Sequence, residues 1–148
     1  MQQVGTGELS AVRRGRSTSW RLGSVVRGWF QICRYDELLP GRPVAAWLDG
    51  KQVAVVRLVD GTVHAVDNKD PFCGANVLAR GITGSRGEID VLISPMYKHA
   101  FDLRSGRCLD DGSVRVSVYD VRVREGWVWI RAGERRSSRR VAERQCDG

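Results

Sequence analysis

Apolar and polar residues alternate over short stretches between Trp29 and Ile130, and this pattern predicts a series of β-strands. No apolar stripe with the period of a helix runs through this region. The pattern therefore predicts an all-β domain, a small sandwich or barrel of roughly nine short strands. The candidate strands are 29–34, 44–48, 52–59, 62–67, 90–93, 99–103, 114–123 with a break at Tyr119-Asp120, and 127–130.

Acidic residues followed by glycine stand between several of these runs and predict tight turns. Asp49-Gly50 and Asp60-Gly61 each separate two apolar stretches, and a two-residue hairpin turn of the primed types needs a positive φ, which these residues tolerate. The strands between residues 44 and 67 are therefore expected to form a meander. Glu125-Gly126 predicts a last hairpin that leads into 127–130.

The last candidate strand is apolar on both faces. Trp127 and Trp129 share one face, and Val128 and Ile130 share the other. A strand of this kind is expected in the middle of a sheet, and we expect its tryptophans to pack in the core.

The strand pattern is interrupted by residues 68–89, which contain one proline and four glycines. This segment predicts a connection of about twenty residues, and connections of that length in small domains are often functional.

The net charge of +7 comes from the two ends of the chain. Residues 1–28 carry five arginines against one glutamate, residues 131–148 carry six arginines against three acids, and residues 29–130 carry as many acids as bases. We therefore predict a domain at 29–130 between two flexible basic tails, 1–28 and 131–148. A balanced middle does not indicate a nucleic-acid-binding surface.

No stretch is apolar enough to span a membrane, and no apolar segment near Met1 indicates a secretory signal. We expect a cytoplasmic protein that binds neither membranes nor nucleic acid.

Local motifs for catalysis or metal binding are missing from the sequence. The four cysteines stand singly, without the close spacing of a metal site, and no phosphate-binding loop appears. His64 lies in an alternating run and is expected to be a strand residue without a catalytic role. Proximity in the fold of Cys73 or Cys108 to His99 stays open, as a nucleophile pair or as a weak metal site.

Two segments carry a family resemblance. Residues 66–78 and 93–107 resemble the two cluster-binding loops of Rieske iron–sulfur domains, in which two thiolates and two imidazoles hold a [2Fe–2S] cluster. The family places these ligands as C-x-H and C-x-x-H, and the matching positions here are Asp70, Phe72, Ser94 and Tyr97. Cys73 and His99 are offset from those positions by three and two residues. The resemblance therefore implies a Rieske-like fold without the cluster.

One branch of this family lacks the same four cluster ligands. The wording D-P-F-x-G-A-N-V-L-x-R-G-I at 70–82 and S-P-x-Y-K-x-x-F-D-L-R-x-G-x-C-L at 94–109 resembles the small subunit of bacterial assimilatory NAD(P)H-dependent nitrite reductases. The resemblance covers 29–130. It implies a non-catalytic subunit without a cofactor of its own, whose partner is the large subunit. That subunit would bind NAD(P)H, FAD, sirohaem and a [4Fe–4S] cluster and reduce nitrite to ammonium.

On a Rieske scaffold the two loops meet at one tip, which is therefore the expected partner-binding surface. Alternatively, Phe72 and Tyr97 fill the space of the lost cluster. Two other functions stay open: a Rieske-type ferredoxin that carries electrons, and a separate protein-interaction module. The residues expected at the partner surface are Phe72, Arg80, Pro95, Met96, Tyr97, Lys98 and His99.

Overall fold

The computed structural model describes residues 25–134, which form eleven strands in three antiparallel sheets. The sheet orders are β1-β2-β11-β10, β3-β4-β5-β9 and β6-β7-β8. The all-β prediction is confirmed. The strands are β1 Val25–Val26, β2 Trp29–Arg34, β3 Val44–Leu48, β4 Lys51–Arg57, β5 Val63–Asp67, β6 Ile82–Arg86, β7 Ile89–Ile93, β8 Ala100–Asp102, β9 Val118–Tyr119, β10 Val121–Arg124 and β11 Trp127–Arg131. Two short 3₁₀ helices, Tyr35–Glu37 and Leu78–Arg80, complete the described elements.

The central sheet β3-β4-β5-β9 separates two apolar cores. Residues Val53 and Val55 of β4 belong to the first core, together with residues of the β1-β2-β11-β10 sheet. Ala54 and Val56 belong to the second core, together with residues of β7 and β8. Because successive side chains point to opposite faces of a strand, β4 is buried on both sides. The outer face of the β1-β2-β11-β10 sheet and the outer face of the β6-β7-β8 sheet are therefore on opposite sides of the central sheet.

Two predicted turns have different outcomes. Asp49 and Gly50 adopt φ angles of 49° and 88°, as a primed hairpin turn requires, and the meander of β3, β4 and β5 is confirmed. The prediction of a two-residue turn at Asp60-Gly61 is wrong. The loop is wider, because the Asp60 carboxylate accepts hydrogen bonds from both the amide and the hydroxyl of Thr62.

The predicted long connection is shorter than expected, because β6 lies within residues 68–89 and pairs with β7. The apolar–polar pattern does not indicate β6, because its residues are mostly exposed and one of them is Gly84. The predicted break at Tyr119-Asp120 separates β9 from β10, but the predicted strand over 114–123 is wrong in its first part. Val114 and Val116 pack on the second core as their alternation indicated, but residues 114–117 lie outside any strand.

Both ends of the domain also differ from the predicted boundaries. Val25 and Val26 form β1 and pair with β2, inside the segment predicted as a tail. Arg131 ends β11 rather than beginning a tail. The other residues of the two predicted tails, 1–24 and 135–148, lie outside the described residues.

The predicted burial of the two tryptophans of β11 is wrong. Strand β11 does lie inside its sheet, between β2 and β10, and Val128 and Ile130 are fully buried in the first core. Trp127 and Trp129 instead face outward and are partly exposed. The sheet packs on the central sheet through one face only, so its other face meets solvent.

Candidate functional site

Three six-residue loops share a single backbone pattern. In each, the amide of the first residue donates to the carbonyl of the sixth, and the amide of the fifth donates to the carbonyl of the first. The fifth residue has a positive φ: 79° at Gly74, 64° at Lys98 and 81° at Gly106. The loops are 70–75, 94–99 and 102–107, and the first two are the loops that resemble the Rieske cluster-binding loops.

The first side chain of each loop closes the turn. Asp70, Ser94 and Asp102 accept a hydrogen bond from the amide two residues further along, at 2.8, 3.2 and 2.8 Å. This Asx- or Ser-turn geometry explains why short oxygen-bearing residues stand at these positions. The first two loops both begin with a short oxygen-bearing residue followed by proline, Asp70-Pro71 and Ser94-Pro95. This shared start is a sequence signal for equivalent loops, and the alternation of apolar and polar residues does not reveal it.

A hydrogen bond joins the first two loops. The Ser94 hydroxyl donates to the Asp70 carboxylate at 2.5 Å, and both residues are completely buried. These are the two positions at which a Rieske domain carries its cysteines. Here they form a polar tie between the loops, in a place where unpaired polar groups would be costly.

The two positions that carry histidines in a Rieske domain contribute aromatic contacts. Phe72 stacks on His99, with ring centroids 3.9 Å apart and planes inclined by 16°, and it also contacts the buried Phe101 at 6.3 Å. The Tyr97 ring approaches the edge of His99 at 6.2 Å. The Nδ1 atom of His99 is buried within this group and has no hydrogen-bond partner among residues 25–134.

These side chains do not fit a [2Fe–2S] cluster. A Rieske cluster needs two thiolates on one iron and two imidazoles on the other, and the four positions supply a carboxylate, a phenyl ring, a hydroxyl and a phenol. Within the described part of the chain, no three histidine, cysteine, aspartate or glutamate side chains are grouped as for a metal ion. Cys108 is buried in the second core, and Cys73 is partly buried.

The residues predicted at the partner surface divide into two groups and one separate residue, Arg80. Pro95, Met96, Tyr97 and Lys98 occupy the second loop, where Met96 and Tyr97 are 50% and 56% exposed. Phe72 and His99 are partly buried and joined to Tyr97 through ring contacts. Arg80 ends the 3₁₀ helix of Leu78–Arg80 with an exposed side chain, and none of the ring contacts includes it.

Asp110 binds the strand that follows the second loop. Its carboxylate accepts the Ala100 amide at 2.8 Å and pairs with Arg86 at 3.1 Å. The Ala100 amide, followed by the Arg86 side chain, holds the pKa of Asp110 below its ordinary value. The charged form of Asp110 therefore helps to hold the strand that follows His99.

Comparison with known proteins agrees with this geometry. Residues 28–131 match the family model of the Rieske-like [2Fe-2S] domain. Over 105 residues the chain is 42% identical to the nitrite reductase (NADH) small subunit of Salmonella typhimurium, which covers 70% of this chain and 96% of that protein. The chain belongs to the Rieske-like family of nitrite reductase small subunits.

A solved structure of this family has the same fold. It comes from Mycobacterium tuberculosis and is described as a candidate NADH-dependent nitrite reductase small subunit. It is 50% identical, superposes with a TM-score of 0.70, and covers 72% of this chain and 96% of its own.

A second kind of relative is much longer. The nitrite reductase [NAD(P)H] large subunit of Klebsiella oxytoca is 39% identical over 104 residues, and the match spans 70% of this chain but only 11% of that protein. A stretch similar to this chain therefore lies within that longer polypeptide.

The described part of the chain, residues 25–134, contains no helix with the length and apolar character needed to cross a bilayer.

Proposed function

We propose that this chain is the non-catalytic small subunit of an NAD(P)H-dependent nitrite reductase and supports the reduction of nitrite to ammonium by a large subunit. The observation that carries the proposal is the tip itself. The loops keep the sequence motifs of the family, while the four ligand positions hold a buried hydrogen bond and an aromatic cluster. A scaffold that keeps its loops without the cluster is suited to binding rather than electron transfer.

The redox chemistry then belongs to the partner. Reduction of nitrite to ammonium takes six electrons, and NAD(P)H delivers them in pairs, so a relay of cofactors is needed. We expect FAD, sirohaem, a [4Fe–4S] cluster and the NAD(P)H site on the large subunit, and we expect the complex in the cytoplasm. The Klebsiella relative supports close association, because there a stretch similar to this chain lies within the polypeptide of a large subunit.

We further propose that the tip contacts the large subunit. Its exposed members, Met96, Tyr97 and Lys98, offer an apolar chain, an aromatic ring and a positive charge on one turn. The His99 ring contacts the Tyr97 ring and is itself stacked on Phe72. Pro95 is the second residue of the same loop, and Arg80 ends the 3₁₀ helix of Leu78–Arg80. Aromatic anchors within a polar rim are typical of protein interfaces.

Co-expression of the full chain with a sirohaem-containing large subunit tests the function. We expect the two to co-purify, and we expect nitrite reduction driven by NAD(P)H to fall when the small chain is omitted. A large subunit that is fully active alone and does not retain the chain would contradict the proposal. A purified small chain with the visible absorption of an iron–sulfur cluster would instead favour the ferredoxin alternative.

Two aromatic substitutions then separate binding from packing at the tip. Tyr97→Ala removes a ring that is 56% exposed, so it should weaken association at least about tenfold and leave thermal stability nearly unchanged. Phe72→Ala removes a ring stacked on His99 and packed against the second core, so it should lower stability by about 2 kcal/mol.

Val59→Ala is the control for Tyr97→Ala, because Val59 is 89% exposed in the loop between β4 and β5, at the opposite end of β5 from residues 70–75. Association measured by calorimetry that falls equally for Val59→Ala and Tyr97→Ala would exclude the tip as the specific contact.

A further inference from the structure

The outer face of the β1-β2-β11-β10 sheet carries three tryptophans and four arginines in ordered rows. The register aligns Arg122 with Trp129 and Gln31, and Arg124 with Trp127 and Arg34. A third row places Trp29 between Val26 and Arg131. The register of β2 against β11 shifts at Val128/Trp129, so that Ile32 and Cys33 are both buried while Gln31 and Arg34 both align with outer tryptophans.

This face forms a shallow groove of about 440 Å³, which we call the Trp–Arg groove. The solvent-facing side of an antiparallel sheet is ordinarily polar, and tryptophan and arginine are the residues most enriched where proteins bind partners. The central sheet separates the groove from the loop tip, so the groove is a second surface. It is lined by Val26, Trp29, Gln31, Arg122, Arg124, Glu125, Trp127 and Trp129.

The arginines lie on the tryptophan rings. The guanidinium carbon of Arg122 is 4.2 Å from the ring centroid of Trp29, and that of Arg131 is 6.0 Å from the same ring. Arg34 lies 5.2 Å from the ring of Trp127. An arginine that stacks on a ring keeps its N–H donors along the edge of the guanidinium plane, in the geometry that binds a carboxylate with two hydrogen bonds.

The charge of the groove identifies the kind of occupant. Arg122 and Arg124 line it, and Glu125 is the one carboxylate among the described residues that line it. Arg34 and Arg131 add positive charge over the rings of Trp127 and Trp29, although Arg34 also lies 4.0 Å from the carboxylate of the exposed Asp36. The chain's own ends do not complement this charge: residues 1–24 carry four arginines against one glutamate, and residues 135–148 carry five arginines against two acids. A second copy would bring the same positive face. The occupant must be acidic and come from another molecule.

We propose that the Trp–Arg groove binds an acidic segment of polypeptide that belongs to the large subunit, and this choice of source rests on the proposed function. Glutamate or aspartate side chains pair with the stacked arginines, and an apolar side chain between them packs on Trp127 and Trp129. A nucleobase is a poorer occupant, because Arg122 already covers a face of Trp29 and would have to be displaced.

Tryptophan fluorescence of the full chain tests the chemistry of the groove. The probe is a synthetic peptide that alternates glutamate with valine, titrated at low and at high salt. We expect saturable binding that weakens with salt, and we expect Arg122→Glu to reduce affinity at least about tenfold through charge reversal. Arg42→Glu is the matched control, since Arg42 is exposed but does not line the groove.

Two results of the titration would overturn the proposal. One is equal peptide binding by the wild type, Arg122→Glu and Arg124→Glu. The other is tighter binding of single-stranded oligothymidylate than of the peptide under the same conditions, which would assign the groove to nucleic acid.

The source of the acidic segment is tested with the complex. If the wild type binds the large subunit and Arg122→Glu binds it at least about tenfold less tightly, the groove contributes to that interface. If both bind equally, the groove proposal is wrong and the proposed function stands. If the wild type does not bind the large subunit, the proposed function and the named source both fail, whatever the peptide titration shows about the chemistry.

Discussion

The loop tip and the Trp–Arg groove both display aromatic rings, but they are built on different supports. At the tip, Phe72, Tyr97 and His99 sit on irregular loops that are joined by one buried hydrogen bond between Asp70 and Ser94. In the groove, the tryptophans lie on the paired strands of a sheet, with one register shift between β2 and β11. The tip therefore depends on a few specific contacts, whereas the groove depends on the whole sheet and its core.

The two surfaces also differ in charge and therefore in the partner chemistry that they suit. The rings of the groove are accompanied by Arg122 and Arg124 in its lining and by Arg34 and Arg131 over the rings. The exposed turn of the tip carries a single lysine, Lys98, beside Met96 and Tyr97. Binding at the groove should be strongly sensitive to salt, and binding at the tip should depend more on apolar contact. A small domain can thus contact one large partner through two chemically distinct faces.

The largest expected effect comes from filling a close contact behind the tip. In Gly81→Ala, the new Cβ would lie 2.0 Å from the carbonyl oxygen of Ile93, at the strand end that precedes Ser94. One of the two backbones must move, and overpacking of this kind costs about 3 kcal/mol. We expect thermal unfolding to show this loss of stability. We also expect Gly81→Ala to lose partner binding at the tip, while its Trp–Arg groove still binds the acidic peptide.

Gly112→Ala is the control for this substitution, because its Cβ would meet only the end of the Arg107 side chain, at 3.8 Å. If Gly81→Ala is as stable as Gly112→Ala, then the close packing of Gly81 on the end of β7 does not support the tip.

The second effect tests the polar tie between the loops. Ser94→Ala removes the hydroxyl that donates to the buried Asp70 carboxylate and accepts the Met96 amide. A buried carboxylate that loses a donor should cost about 2 kcal/mol, measured by chemical denaturation. The control Ser113→Ala removes an exposed hydroxyl that also binds an aspartate, Asp111, and should change stability little. Equal effects would mean that the tie contributes nothing beyond an ordinary surface turn.

The smallest effect concerns the central sheet that both surfaces share. Burial, followed by the hydrogen bond of its hydroxyl to Asp67 at 2.6 Å, raises the pKa of Tyr119 above its ordinary value. The folded state therefore holds this proton more tightly than the unfolded state, in which tyrosine titrates near about pH 10. Its contribution to stability is present below that pH and declines as the pH rises above it.

Tyr119→Phe should accordingly lower stability by about 1 kcal/mol at neutral pH and reduce the loss of stability in alkaline solution. Tyr97→Phe, at an exposed ring, serves as the control. Denaturation curves measured between neutral and alkaline pH would contradict this account if both variants retained the alkaline loss of the wild type. Because Tyr119 supports the sheet between the tip and the groove, its replacement should affect binding at the two surfaces equally.

Short-range patterns predicted most of the strands because alternation and turn residues act locally. The meander of β3, β4 and β5 follows from alternating apolar residues and from a positive-φ turn at Asp49-Gly50. The exposed β6 and the two-residue β1 escaped because neither buries an apolar face. The chemistry of the tip was also visible in the sequence, since the absence of four ligands can be read from the residue types at 70, 72, 94 and 97.

What the sequence by itself determined is most of the strands, the all-β class and the absence of Rieske ligands, because each depends on residue type and local spacing. Tertiary structure alone decided which face of β11 meets the core. Both faces of that strand are apolar, and only the packing of the sheet on its neighbour buries Val128 and leaves Trp127 in the groove. It also decided that Asp70 and Ser94 replace the cluster with a hydrogen bond, since residues from separate loops meet there only after folding.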